Sequence, residues 1–461
     1  MITTLWVILV FVFAAFCATF ARLVFKQRTI LWILILLETK SFIKHVNRLA
    51  EKHKKALTAM SVFGIAVGFG PFGIDYLIKD KATKKKRIYI FIISLLIATY
   101  ISYLLAGSMF FGNPLIPKFI SYLIIVLTGI MGLSGFILGA LFFSAYDIIA
   151  KMFVGKVACP GIGLVIPGVK VPKTNFFIPW YGWLILIPAA FIHEFSHGIM
   201  LRVAKIKLKS IGVMLLGILP LGAYVEPDEE KFKKVDNKKK LKMYAAGPTS
   251  NLIVAIIFFI IYLLISTPIT NYTTSIDNHR EIGLVVSQVN PTTEVCGSSF
   301  DNPAFGKLVK NDLFVSVNGN IIKSRNNLSK NIKKDYENEF VVKNLDTNIT
   351  RTEYITTNEL GNIGITADIM VDETIKVPKD YSFYKILLSV ILWIAALNFI
   401  LATTNFLPTI PFDGGYMAQI IFCDFLNKKK NNEEKRMKKV MWFFIYLAIL
   451  LGLLNLVPYF L

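Results

Sequence analysis

The stretch FFIPWYGWLILIPAAFIHEFSHGIM, residues 176–200, decides how the chain is read. Its first fifteen residues carry no charged side chain. Its end contains His193-Glu194-x-x-His197, the ligand spacing of a zinc hydrolase. Charged groups at membrane depth are costly and usually mark function. On a helix, His193 and His197 stand at i and i+4 and project from one face. They can hold one Zn²⁺ through ring nitrogens, with Glu194 beside the ion and placed to take a proton from water. Short motifs also arise by chance. Three ionisable groups in a helix this apolar nevertheless need a reason.

The composition points the same way. The chain has 461 residues, 54% of them hydrophobic, and a mean hydropathy of +0.57. That exceeds a soluble enzyme's usual apolar content and indicates a polytopic α-helical membrane protein. Apolar runs at 2–21, 88–111, 119–145, 180–202, 248–266, 383–403 and 441–460 predict spans. Residues 29–38 are too short to span alone. Residues 56–78 contain GIAVGFGPFGI, whose Gly and Pro predict a broken span or a re-entrant loop. Gly129, Gly132, Gly135 and Gly139 permit close helix packing. No internal repeat is evident. The N-terminus lacks a basic region before its long apolar run and reads as a retained anchor helix.

The net charge is +21, from 51 basic and 30 acidic residues. The excess gathers in clusters at 44–55, 79–87, 231–242 and 427–439, beside apolar runs. This is the positive-inside pattern of cytoplasmic loops rather than a nucleic-acid surface. The last two clusters place residues 272–380 outside. Earlier spans do not resolve by parity: either 56–78 or the 146–177 connection must do something else. Cys17, Cys159, Cys296 and Cys423 are far apart, form no CxxC pair, and read as scattered small hydrophobes, with Cys296 a candidate lone thiol.

Residues 272–380 are polar, rich in Asn and Thr, with alternating runs such as IGLVVSQV. LFVSVNG reads as a strand, an Asn-Gly turn, then a second strand. A soluble β-rich module is expected here.

A site with two His ligands needs a third, and the remaining histidines lie near basic or polar loops. Asp413 in NFLPTIPFDGGYMAQI is the best candidate. Pro408 and Pro411 break the helix before it, and Gly414 and Gly415 let the backbone turn close behind it. An N-cap role for Asp413 is compatible with ligation. Asn405 could donate to a developing oxyanion or satisfy backbone freed by the prolines.

HEFSH, AAGPTSN (245–251) and NFLPTIPFDGG (405–415), in that order, resemble the site-2 protease family of intramembrane zinc metalloproteases. The resemblance covers about residues 178–420. It implies His193, His197 and Asp413 as ligands of one catalytic Zn²⁺, with Glu194 as general base. Asn405 and Asn251 are implied as substrate or oxyanion contacts, and Gly247 as a neighbour of the site. LPLGAYVEPDEE (219–230) looks like the family's re-entrant β element. DNPAFGKLVKNDLFVSVNGNII (301–322) looks like a PDZ module, with Asn311-Asp312 where Gly-Asp is usual.

The domains implied are an accessory region 1–150, a first catalytic part 151–270, a PDZ-like domain 271–380, a third core helix 381–426, and a basic loop with a last span 427–461. The activity implied is hydrolysis of transmembrane protein substrates, in regulated intramembrane proteolysis, reached from the cytoplasmic side of the cell membrane. The partners implied are those substrates and the lipid bilayer, with no nucleic acid. A non-proteolytic scaffold, or a metal or ion transporter using the same cluster, is the alternative.

Overall fold

The structure is a computed structural model and describes residues 2–25, 28–30, 33–39, 43–113, 115–174, 176–217, 219–425 and 433–460. Helix α1 (Ile2–Phe25) covers the residues of the expected first span. It is followed by a hairpin of β1 (Arg28–Ile30) and β2 (Leu34–Thr39), so the short apolar stretch at 29–38 is extended chain. Helix α2 (Ile43–Lys52) is amphipathic and buries Val46 and Ala50. Then come α3 (Lys54–Ile78), α4 (Lys84–Phe111) and α5 (Lys118–Phe153).

The core follows with α6 (Gly182–Val203), the hairpin β3 (Leu208–Leu216) and β4 (Leu219–Pro227), the short α7 (Glu229–Lys233) and α8 (Asn237–Arg280). Among the described residues, α3, α4, α5, α6, α8, α10 (Asp380–Asn405) and α12 (Glu433–Leu456) are long and apolar enough to cross a membrane.

Length alone miscounts the crossings, because α3 and α5 both fold back on themselves. Gly70 (φ 53°, ψ −139°) and Gly132 (φ 59°, ψ −141°) leave helical geometry in the middle of each. A Cβ on Gly73 would lie 2.3 Å from the carbonyl oxygen of Ile65, eight residues earlier, which a straight helix forbids. In α5 a Cβ on Gly139 would meet the Ile124 side chain at 2.8 Å, and Asn113 donates to Asp147 at the open end. Each is therefore a helical hairpin. Pro71 supplies the preset φ of a first helical residue for the second limb of α3.

The two tips touch. A Cβ on Gly70 would sit 2.9 Å from Gly132 N and 3.0 Å from Gly129 O, and one on Gly132 would sit 2.2 Å from Val67 O. Only glycine, with no Cβ and free access to positive φ, fits this approach. It also sets carbonyls at the end of one limb beside the start of another, where the membrane offers no water.

These hairpins resolve the parity problem. One end of the molecule holds the basic clusters: Lys238 pairs with Asp80, and α2 packs beside Ile199, Met200 and Met243. Both ends of α3 lie there. Both ends of α5 lie at the opposite end, where Gly161 N donates to Asn455 O near the end of α12. Of the basic cluster 427–439, residues 427–432 lie outside the described residues, and the remainder opens α12.

The hairpin β3–β4 joins β1 and β2 in one sheet of order β1-β2-β3-β4, so β3 is paired on both sides and β4 is an edge. The β-rich module begins at 281 rather than 271, because α8 runs on unbroken to Arg280. It holds β5 (Glu281–Val289), the small hairpin β6 (Thr292–Val295) and β7 (Ser298–Asp301), and β8 (Asp312–Val317) with β9 (Asn320–Ile321). Helix α9 (Arg325–Asn331) and strands β10 (Glu337–Asn344), β11 (Thr350–Thr356) and β12 (Ile365–Val371) complete it.

The module's main sheet has the order β11-β10-β8-β5-β12, with β9 on β8. Asn318 and Gly319, both at positive φ, make the expected two-residue turn. Asn311 also sits at positive φ, a conformation Asn tolerates better than most residues.

The reading of the cysteines as unpaired fails for two of them. Cys159, after α5, and Cys296, at the β6–β7 turn, form a disulfide. Their separation of 137 residues left no spacing to recognise.

Candidate metal centre

Helix α6 places His193 and His197 one turn apart and buries both, at 6% and 9% exposure. Across from them Asp413 opens α11 (Asp413–Phe425). Its Oδ2 lies 3.1 Å from His193 Nε2 and 3.1 Å from His197 Nε2, and the two Nε2 atoms are 3.2 Å apart. Tetrahedral zinc, with bonds of about 2.0–2.1 Å, sets its ligand atoms roughly 3.3 Å apart. The triangle fits one such ion and leaves its fourth position open. The cluster is the one His/Cys/Asp/Glu group of this kind among the described residues.

The far side of each imidazole is committed. His197 Nδ1 donates to the Met243 carbonyl at 2.8 Å. His193 Nδ1 lies 2.8 Å from Asn251 Oδ1. Asn251 Nδ2 donates to Ala189 O at 3.0 Å and to Asn398 Oδ1 at 2.9 Å, so its Oδ1 is the acceptor and His193 Nδ1 carries the proton. Both Nε2 lone pairs therefore face Asp413, the tautomer that ligation requires.

This corrects the expectation for Asn251. It is fully buried and both of its amide hydrogens are taken, so it orients His193 and has no N–H for a substrate.

Gly247 faces the same point from α8. A Cβ there would lie 2.3 Å from His197 Nε2 and 2.6 Å from His193 Nε2. The glycine clears space for the ligand atoms themselves. At Gly414 and Gly415 a Cβ would strike the backbone of residues 406–410 at 2.3 Å, so the pair lets α11 start tightly against the preceding turn. That contact aims Asp413.

Glu194 lines the same cavity of 370 Å³ as His193, His197 and Asp413, and no described protein group hydrogen-bonds its carboxylate. Asn405 lines it too, while its Nδ2 donates to Leu401 O at 2.9 Å. Leu401 O is an ordinary carbonyl of α10 rather than one freed by the prolines, and the second amide hydrogen of Asn405 remains available. Val225 and Pro227 of β4 line the cavity as well, as do Tyr244 and Tyr416, whose rings stack at 4.9 Å. Asn398, Met243 and the two tyrosines went unrecognised in the sequence. Asn398 carried a usable signal, an amide inside an apolar span.

Apolar crossing helices around a His, His, Asp triad with an adjacent glutamate define a membrane metallopeptidase. Residues 181–438 match the model of peptidase family M50, and the chain belongs to that family, the site-2 protease family. It is also 30% identical over 270 residues to an uncharacterized protein of Methanocaldococcus jannaschii, MJ0971; the match covers 58% of this chain and 64% of that one.

Proposed function

We propose that this chain is an intramembrane zinc endopeptidase that cuts transmembrane protein substrates, in regulated intramembrane proteolysis. The observation that carries the reading is the near-equilateral triangle of His193 Nε2, His197 Nε2 and Asp413 Oδ2, with both Nδ1 atoms committed elsewhere. A zinc ion there supplies Lewis acidity toward a water and toward a peptide carbonyl. Glu194 takes the proton from the water and returns it to the leaving nitrogen. The remaining amide hydrogen of Asn405 donates to the oxyanion.

The substrate is extended, because helical carbonyls are hydrogen-bonded and shielded. The edge strand β4 offers it backbone pairing. The same strand lines two cavities in succession. Gly222 and Ala223 line an apolar one of 500 Å³ with Phe191 and Leu401, and Val225 and Pro227 line the metal cavity. A substrate segment paired along β4 passes from the first to the second. The basic end faces the cytoplasm of the cell membrane, and the β-rich module, which we read as PDZ-like, lies outside as a docking or gating element. Its partners are membrane protein substrates and the bilayer.

The test is a purified preparation offered a model transmembrane substrate. Glu194→Gln should abolish cleavage while about one zinc per chain is retained. Full activity in that variant would overturn the mechanism.

A further inference from the structure

An apolar cavity lies away from the metal, between the α5 hairpin and α12. It encloses 530 Å³. Phe72 of α3, Leu138 of α5 and Phe422 of α11 form its inner wall, and Phe444 and Leu451 of α12 line its flank. One charged side chain lines it, Lys439, at the basic end. Lys439 to Leu451 is twelve helical residues, about 18 Å. The hydrocarbon depth of one leaflet is about 15 Å.

We propose that this groove binds one apolar chain of an anionic lipid, whose headgroup rests on Lys439. Charge complementarity selects the occupant. Lys438 is paired with Glu434 at 2.9 Å, whereas Lys439 has no ion-pair partner among the described residues. An ammonium at the mouth of an apolar slot is stabilised by an anion held at the membrane surface. The slot below accepts what is tethered to that anion. The lipid chain packs against Phe422, on the helix that begins at Asp413, so it buttresses the ligand helix from behind.

The test is native mass spectrometry of the full chain released from micelles containing equal phosphatidylglycerol and phosphatidylcholine. The expected result is one retained phosphatidylglycerol, preferred about five-fold over phosphatidylcholine. Lys439→Ala, a surface change, should erase the preference, and Lys439→Arg should keep it. Leu447→Trp, which fills the slot, should strip retained lipid of either headgroup. An unchanged preference in Lys439→Ala would overturn the headgroup site. Unchanged retention in Leu447→Trp would overturn the groove, as would wild-type protein that carries no lipid. None of these readouts depends on proteolysis.

Discussion

The Nδ1 proton of His193 is held by Asn251 Oδ1 at 2.8 Å, and Asn251 is held in turn by Asn398. The bond runs from α6 to α8 and the next from α8 to α10, so three core helices fix one imidazole. Partners of this kind typically contribute 10–100-fold to metal affinity. Asn251→Leu should therefore raise the zinc dissociation constant by about 10–100-fold. Chelator competition would measure it. Asn398→Leu, one bond further away, should have a smaller effect. An unchanged affinity in Asn251→Leu would remove its positioning role.

Gly247→Ala should remove zinc more completely than any change in the surrounding wall. The added methyl would occupy space 2.3 Å and 2.6 Å from the two ligand nitrogens, closer than any real contact. Gly222 is the matched control: it lies near the same core, and a Cβ there meets nothing within 4 Å. Metal analysis of the two purified variants should find zinc lost in the first and kept in the second. Stoichiometric zinc in Gly247→Ala would show that the ligands sit elsewhere.

Much of the site was legible because its chemistry sits in local patterns. His193, Glu194 and His197 occupy one turn of helix. Asp413 is flagged by prolines before it and glycines behind it. The distant partner Asn251 was legible as a residue but not as a role, because an amide donates and accepts and only its neighbours decide which. The hairpins at Gly70 and Gly132 were only partly legible. Each limb has the same apolar composition as a through-going helix, and reversal depends on the backbone of one residue. The Cys159–Cys296 pairing was illegible, since nothing in either local sequence points to the other.

The disulfide closes a loop containing α6, the β3–β4 hairpin and α8. A single protease site introduced at residues 234–236 should split the chain into two pieces that remain joined. A denaturing gel should show one band without reductant and two with it. Two bands without reductant would refute the linkage. Replacing both cysteines with serine should cost about 2–4 kcal/mol against unfolding, since the closed loop is long.

Asp312 is fully buried in the module and accepts from Arg351 at 2.5 and 3.0 Å, from Asn344 Nδ2 at 3.0 Å and from Val309 N at 2.8 Å. Removing it takes the acceptor from Val309 N and one acceptor each from Asn344 and Arg351, while Arg351 keeps Glu353 and the Lys307 carbonyl, both at 3.1 Å. Asp312→Ala should destabilise the module by about 1–3 kcal/mol. Hydrogen exchange should show lost protection in β8, β10 and β11, while zinc content stays at the wild-type level. Unchanged protection would mean that the ion pair contributes no net stability.

The contact between Gly70 and Gly132 makes the last prediction. Alanine at either position pays for positive φ with ψ near −140°, a backbone that suits glycine, about 1–3 kcal/mol. At Gly132 it also drives a methyl to 2.2 Å from Val67 O. Gly155 is the reference, because it too has positive φ and a Cβ there meets nothing within 4 Å. Thermal unfolding in detergent should show Gly132→Ala less stable than Gly155→Ala, the difference combining the tip contact with the backbone cost specific to Gly132. The first limb of α3 also packs on the core: a Cβ on Gly68 would lie 2.3 Å from the Phe406 ring, and one on Gly64 would lie 1.6 Å from Thr249 Oγ1. Phe406 lies in the turn that aims Asp413. Separating the tips should therefore lower zinc retention at elevated temperature in Gly132→Ala and leave it unchanged in Gly155→Ala. Equal melting of the two variants would mean that the hairpins do not support each other.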